Sequence, residues 1–101
     1  MKIFNTVSNA DSKLLDLNII KRKYPEARII VLDDNFNTFE HVANCLETII
    51  PGMSREKSWK LAVQVDSEGW AEVWRGPLEQ AELYYQQLLS KGLTMAPIEN
   101  T

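Results

Sequence analysis

Histidine and cysteine are nearly missing from this chain: His41 and Cys45 are the only examples in 101 residues. A lone cysteine excludes an internal disulfide, which fits a reducing compartment. Two such residues cannot build the paired Cys/His spacing of a zinc site, and the four glycines form no phosphate-cradling loop. Basic residues are also scarce, with 11 Lys and Arg against 14 Asp and Glu and a net charge of -3. Phosphate neutralisation needs clustered Lys and Arg, so nucleic acid is not an expected partner. The one basic cluster, Lys21-Arg22-Lys23, suits a solvated face or linker. No apolar run reaches the roughly 18 residues that a membrane span needs. Met1 to Ala10 lacks the charged start and apolar block of a secretory signal.

What is present is ordinary for a small globular domain, at 45% hydrophobic and 25% charged residues. Tyr24-Pro25 marks a boundary, because proline drives its predecessor toward extended geometry. Residues 1–24 read as an N-terminal extension, partly disordered, with Leu14 to Ile20 docking as a strand or short helix. Residues 25–101 read as the core domain. Ile29 to Leu32 is a buried strand by its β-branched content. Phe39, Val42, Ala43, Leu46, Ile49 and Ile50 recur at helical spacing, and Pro51-Gly52 ends that helix. Ser54 caps a second helix, Arg55 to Val65, with Trp59, Ala62 and Val63 on its packing side. Trp70 to Arg75 is a strand. Pro77 opens a third helix whose apolar face is Leu78, Ala81, Tyr85, Leu88 and Leu89, with Gly92 as its left-handed stop. Leu93 to Ile98 is a last strand that Pro97 confines to an edge or ladder end. The order β-α-α-β-α-β predicts a small α/β sandwich, with three helices on a three-stranded, antiparallel sheet.

The stretch that organises the chain is Arg28 to Val42. A buried strand runs into adjacent carboxylates, Asp33 and Asp34, and a polar turn leads to a helix. Asn37 stands three residues before Glu40, the spacing of an N-cap with its reciprocal acid. On this stretch alone a plain Asx turn with solvated acids is the better explanation. Elsewhere, catalytic signals are thin. His41 reads as an exposed helix residue. Cys45, four residues on, shares its helix face and reads as a small core residue, but no third residue or oxyanion donor accompanies the pair. Asp33, Asp34 and Asp66 are enough carboxylates for a Mg²⁺ or Ca²⁺ site, but no phosphate-binding feature accompanies them and no metal is expected. Phe39, Val42 and Cys45 from the first helix, with Ala62, Val65 and Asp66 from the end of the second, can wall a small hole beside the acids.

The same stretch resembles the signature of the ClpS family, adaptors that deliver N-degron proteins to the Clp protease. That family carries an Asn-Asp-Asp triplet at a strand end; here it stands as Asp33-Asp34-Asn35. Phe36-Asn37-Thr38-Phe39, Gly76-Pro77 and Gln80-Ala81-Glu82 are similar to its cyanobacterial and plastid branch. The resemblance covers roughly Pro25 to Glu99. It implies a non-enzymatic adaptor without cofactors, in the cytoplasm or, in a plastid-bearing source, the stroma. It implies that Asp33, Asp34 and Asp66 hold the substrate α-amine, Asp66 standing where the family has histidine. Asn37, Thr38, Phe39, Val42, Cys45, Ala62, Val65 and Thr94 would wall the pocket for the first side chain. Ala62 replaces a gating methionine. Glu79 and Glu82, with Tyr84 in place of a lysine, would face the N-terminal domain of a Clp AAA+ ATPase of the ClpC or ClpA type. The expected substrates are N-degron peptides with a bulky apolar first residue. The alternative is a divergent paralogue that binds the ATPase as a regulator and reads no N-degron. Three carboxylates around one ammonium should also repel one another when the site is empty, raising the pKa of at least one.

Overall fold

The computed structural model describes residues 24–101. The expectation of a partly disordered N-terminal extension concerns residues that fall outside this range, save Tyr24.

Strand β1 (Glu26–Leu32) is the centre of the sheet. On one side it pairs antiparallel with β2 (Trp70–Pro77). On the other it pairs with two short antiparallel pieces, β3 (Thr94–Met95) and β4 (Glu99–Asn100). Alternation along β1 sends Ala27, Ile29 and Val31 into the core, where Ala71 and Val73 of β2 join them. The register slips between Ile29 and Ile30, a bulge that re-aims the strand.

Three helices complete the domain: α1 (Phe39–Ile49), α2 (Arg55–Glu68) and α3 (Leu78–Ser90). Val42, Ala43, Cys45 and Leu46 of α1, Ala62 and Val65 of α2, and Ala81 and Leu88 of α3 form one apolar cluster with the sheet. The expected α/β sandwich is therefore present, with the order of helices and strands as read except that the last strand is two short pieces, which makes the sheet four-stranded.

Several boundaries and faces differ from expectation. The cap of α1 is Thr38, whose Oγ1 accepts from His41 N at 3.1 Å, rather than Asn37. The Asn37 side chain is committed elsewhere, so the next extended residue takes the cap. Helix α2 runs on past Val65 to Glu68, because the first residue able to stop it is Gly69 at φ 93°, the left-handed conformation glycine tolerates. Its packing face is Ser58, Ala62 and Val65, with Trp59 and Val63 a little under half exposed. Ser58 is tolerated inside because its Oγ donates to the Arg55 carbonyl at 2.8 Å. Leu89, expected on the core face of α3, is exposed, whereas Leu88 is fully buried.

The last strand is broken in two. Ala96 N still donates to Ile30 O at 3.1 Å, and pairing resumes at Glu99 opposite Arg28, so Pro97 and Ile98 stand opposite the single residue Ile29 and the register is interrupted there. Leu93, expected in this strand, instead closes the turn after α3 as a buried residue whose N–H reaches Leu88 O.

Candidate functional site

The acid turn lies at the C-terminal end of β1, and Asp34 is its hub. Asp34 Oδ1 accepts from Phe36 N at 2.8 Å and Asn37 N at 2.7 Å. Its Oδ2 accepts from Asn37 Nδ2 at 2.6 Å and Thr94 Oγ1 at 2.7 Å. Four donors on one carboxylate stabilise its ionised form. The Asn37 backbone bond and then Thr94 hold its carboxyl far below the usual carboxylate range. This is the opposite of the upward shift expected from mutual repulsion. The physical reason is that neutral donors, not neighbouring acids, surround Asp34.

Two further bonds tie the turn and the start of α1 to the chain after α3. Asn37 Nδ2 donates to Gly92 O at 2.9 Å. His41 Nε2 donates to Lys91 O at 2.9 Å. His41 is therefore a half-buried tie between elements, not the free helix residue the sequence suggested. Cys45 Sγ sits 3.5 Å from His41 Nε2, so the i, i+4 proximity is real. Burial raises the Cys45 thiol pKa, which keeps it protonated and unreactive as a nucleophile.

Asp33 follows directly on β1, and Asp66 lies near the end of α2. Asp33 N donates to Gly69 O at 3.0 Å, which anchors Asp33 at the C-terminal end of α2. Asp66 lies in the last turn of that helix and is exposed, as is Asp33. That last turn carries Asp66 and Glu68 and no basic residue. Acids at a helix C-terminus oppose the macrodipole, so this end of α2 is a place where a cation is favoured. Among the described residues, no group of three His, Cys, Asp or Glu side chains is arranged to hold a metal ion. None of the three aspartates is ion-paired among those residues.

Of the expected pocket walls, Val42, Cys45, Ala62 and Val65 are buried members of the core cluster. Phe39 is partly buried against it, Asn37 is half-buried, and Thr38 and Thr94 are exposed at the rim. Phe39 meets Trp59 of α2 edge to face, with ring centroids 4.4 Å apart and planes at 72°. Sequence reasoning assigned Trp59 to the packing face and so missed this pair, because no local signal relates residues on two different helices. Phe36, beside the acids, is 91% exposed.

The face expected to meet an ATPase is divided. Glu79 and Glu82 are exposed on neighbouring turns of α3. Glu79 also lines a cleft of about 540 Å³ with Tyr24, Pro25, Glu26, Pro77 and Leu78. Tyr84 turns toward the sheet and packs edge-on against Trp74, at 5.1 Å between centroids and 83° between planes. The Trp74 ring in turn covers Gly76, where an added Cβ would stand 2.5 Å from it. The structure thus sets Tyr84 apart from the two glutamates.

The chain is similar to known proteins over most of its length. The family described as "ATP-dependent Clp protease adaptor protein ClpS" matches residues 22–96. A Synechocystis sp. protein named "ATP-dependent Clp protease adapter protein ClpS" is 50% identical over 95 residues, covering 92% of this chain and 97% of its own length. Proteins of the same name from Thermosynechococcus vestitus and Nostoc sp. are each 56% identical, over 81 and 80 residues. They cover 80% and 79% of this chain, and 86% and 82% of their own lengths. With the family match spanning well over half the sequence, and relatives this similar along most of their length, the chain belongs to the ClpS family of adaptors of the ATP-dependent Clp protease.

Proposed function

We propose that this adaptor reads N-degrons: it grips the α-ammonium of a substrate at Asp33 and Asp66, with Asp34 as the ionised frame. The observation that carries this reading is the bond from Asp33 N to Gly69 O. It sets one acid of the turn against the acidic, base-free end of α2, where the helix dipole also favours positive charge. Asp34 adds a formal charge that no described cation cancels, because its four partners are neutral. An α-ammonium offers the matching charge and its own N–H donors.

The first side chain would enter between α1 and the end of α2, against Phe39, Val42, Cys45, Ala62 and Val65, with Asn37, Thr38 and Thr94 at the mouth. These walls are apolar, so Leu and Phe are the favoured first residues, with Tyr and Trp next. Basic first residues bind poorly for lack of a partner. Delivery uses the exposed Glu79 and Glu82 on α3, which dock on the N-terminal domain of a ClpC- or ClpA-type ATPase, in the cytoplasm or a plastid stroma. Tyr84 supports this face from its packing on Trp74 rather than by direct contact.

The test is a titration of Leu-initiated peptide with a free or an acetylated N-terminus. Binding of the free peptide alone supports the reading. Equal binding of both overturns it and leaves the chain as a regulator of the ATPase. Delivery is checked by capture of the ATPase N-domain with wild type and with Glu79→Lys plus Glu82→Lys; equal capture removes those residues from the docking face.

A further inference from the structure

Trp59 has no place in the core. The packing face of α2 is Ser58, Ala62 and Val65, and Trp59 keeps 45% of its surface exposed. Its described aromatic contact is Phe39, met edge to face at 4.4 Å between centroids. Phe39 is the first residue of α1, directly after the Thr38 cap that fixes its backbone. Cap and indole together leave the Phe39 ring little freedom. One turn after Trp59 on the same helix stands Ala62, small and only 2% exposed. A small residue beside an aromatic pair leaves the shape of the local wall to the rings.

We propose that Trp59 is a positioning residue for the side-chain pocket: its indole holds the Phe39 ring in place and so decides which first residues the pocket accepts. This rests on the reading of the acid turn as an amine site and adds the determinant of its selectivity. Trp59 does not touch the substrate in this scheme. It acts through Phe39, by removing ring orientations that an unpaired phenyl would sample. A fixed ring favours a compact first residue such as Leu. A released ring must be reordered by each ligand, and it swings aside more readily for Tyr or Trp.

The test uses the full chain and four peptides that differ only at residue one: Leu, Phe, Tyr and Trp. Dissociation constants are measured for wild type, Trp59→Ala and Trp59→Phe, together with melting temperature and capture of the ATPase N-domain. Trp59→Ala is expected to move the Leu-to-Trp preference about two- to tenfold toward the larger side chain, the range an aromatic pair supplies. Trp59→Phe retains an edge-to-face partner and restores most of the wild-type ranking. A purely packing role would lower the melting temperature, or scale all four affinities by one factor, without reordering them; either result overturns the proposal. If wild type fails to distinguish free from acetylated peptide, the amine site and this role fall together. If wild type is amine-dependent and selective but Trp59→Ala leaves the ranking unchanged, only the role of Trp59 is lost.

Discussion

Two carboxylates in this domain each gather several hydrogen bonds, and they do different things. Asp34 collects four donors at the end of β1, all of them neutral: two backbone N–H groups, an amide and a hydroxyl. Glu72 on β2 collects two guanidinium groups. Arg75 reaches it at 2.8 and 3.2 Å, and Arg28, which also pairs with Glu99, at 3.1 Å. Both acids are shifted down, Asp34 mainly by the Asn37 backbone bond and Glu72 mainly by Arg75. Neutral dipoles stabilise a carboxylate without cancelling its charge, whereas guanidinium groups cancel it. The acid turn therefore keeps a negative field that can draw a cation, while the Arg28–Glu72–Arg75–Glu99 ladder is locally neutral and links β1, β2 and β4 across the sheet.

The largest effect that could break this comparison lies on the ligand. Acetylating the peptide removes its charge and its strongest donors, and about 100-fold or more of affinity should vanish in a titration, from two charge-assisted bonds of roughly 1.5–3 kcal/mol each. Raising the pH above about 8 deprotonates the peptide amine and should weaken binding in the same direction. Affinity that held steady to pH 10 would mean that the field of the turn is irrelevant.

Asp34→Asn comes next. The amide keeps the shape but cannot accept from all four donors, so we expect a loss of about 1–2 kcal/mol in denaturant unfolding and at least tenfold weaker peptide binding. Because the folded-state pKa of Asp34 is lowered, its stabilisation is fully present above the ordinary carboxylate pKa near 4 and is lost as pH falls through the lower folded value. The wild type should therefore lose stability on acidification below about pH 4, and Asp34→Asn should flatten that limb. An unchanged acid limb would remove Asp34 as its cause.

Asp33→Asn and Asp66→Asn should leave melting temperature nearly unaltered, since both side chains are exposed. Each should cost binding about five- to tenfold and reduce its salt dependence, as expected for one exposed charge acting on an ammonium. A variant of either residue with full affinity would take that carboxylate out of the site. The smallest effect belongs to Glu72→Gln: at most about 1 kcal/mol of stability, partly screened by salt, and no change in peptide affinity. A binding defect there would mean that the two acidic regions are coupled, contrary to the contrast drawn above.

The element order was legible because each element carries its own local signal. Examples are the β-branched run before Asp33, the Ser54 cap, the Pro51-Gly52 stop and the left-handed glycines at 69 and 92. What misled was anything decided by a distant partner. Asn37 has the spacing of a cap, yet Asp34 and Gly92 O claim its side chain, so Thr38 caps instead. Trp59 and Val63 are apolar, but the helix is rotated so that Ser58 and Val65 face inward with Ala62. Leu93 to Ile98 reads as one strand, but the pairing with β1 slips by one residue across Pro97 and Ile98, a register set by the partner strand.

The sequence by itself determined the chemistry available at the strand end: three aspartates, an apolar helix stripe and a pair of glutamates on a later helix. Family resemblance followed from those residues, because motif and spacing are properties of the chain. Only the tertiary structure decided which acid is frame and which is free. That choice depends on Thr94, Gly69 and Gly92, residues remote from the turn in sequence, whose donors and acceptors arrive only when β1, α2 and the chain after α3 pack together. A carboxylate's role is set by the atoms that solvate it, and in a folded chain those atoms come from elsewhere.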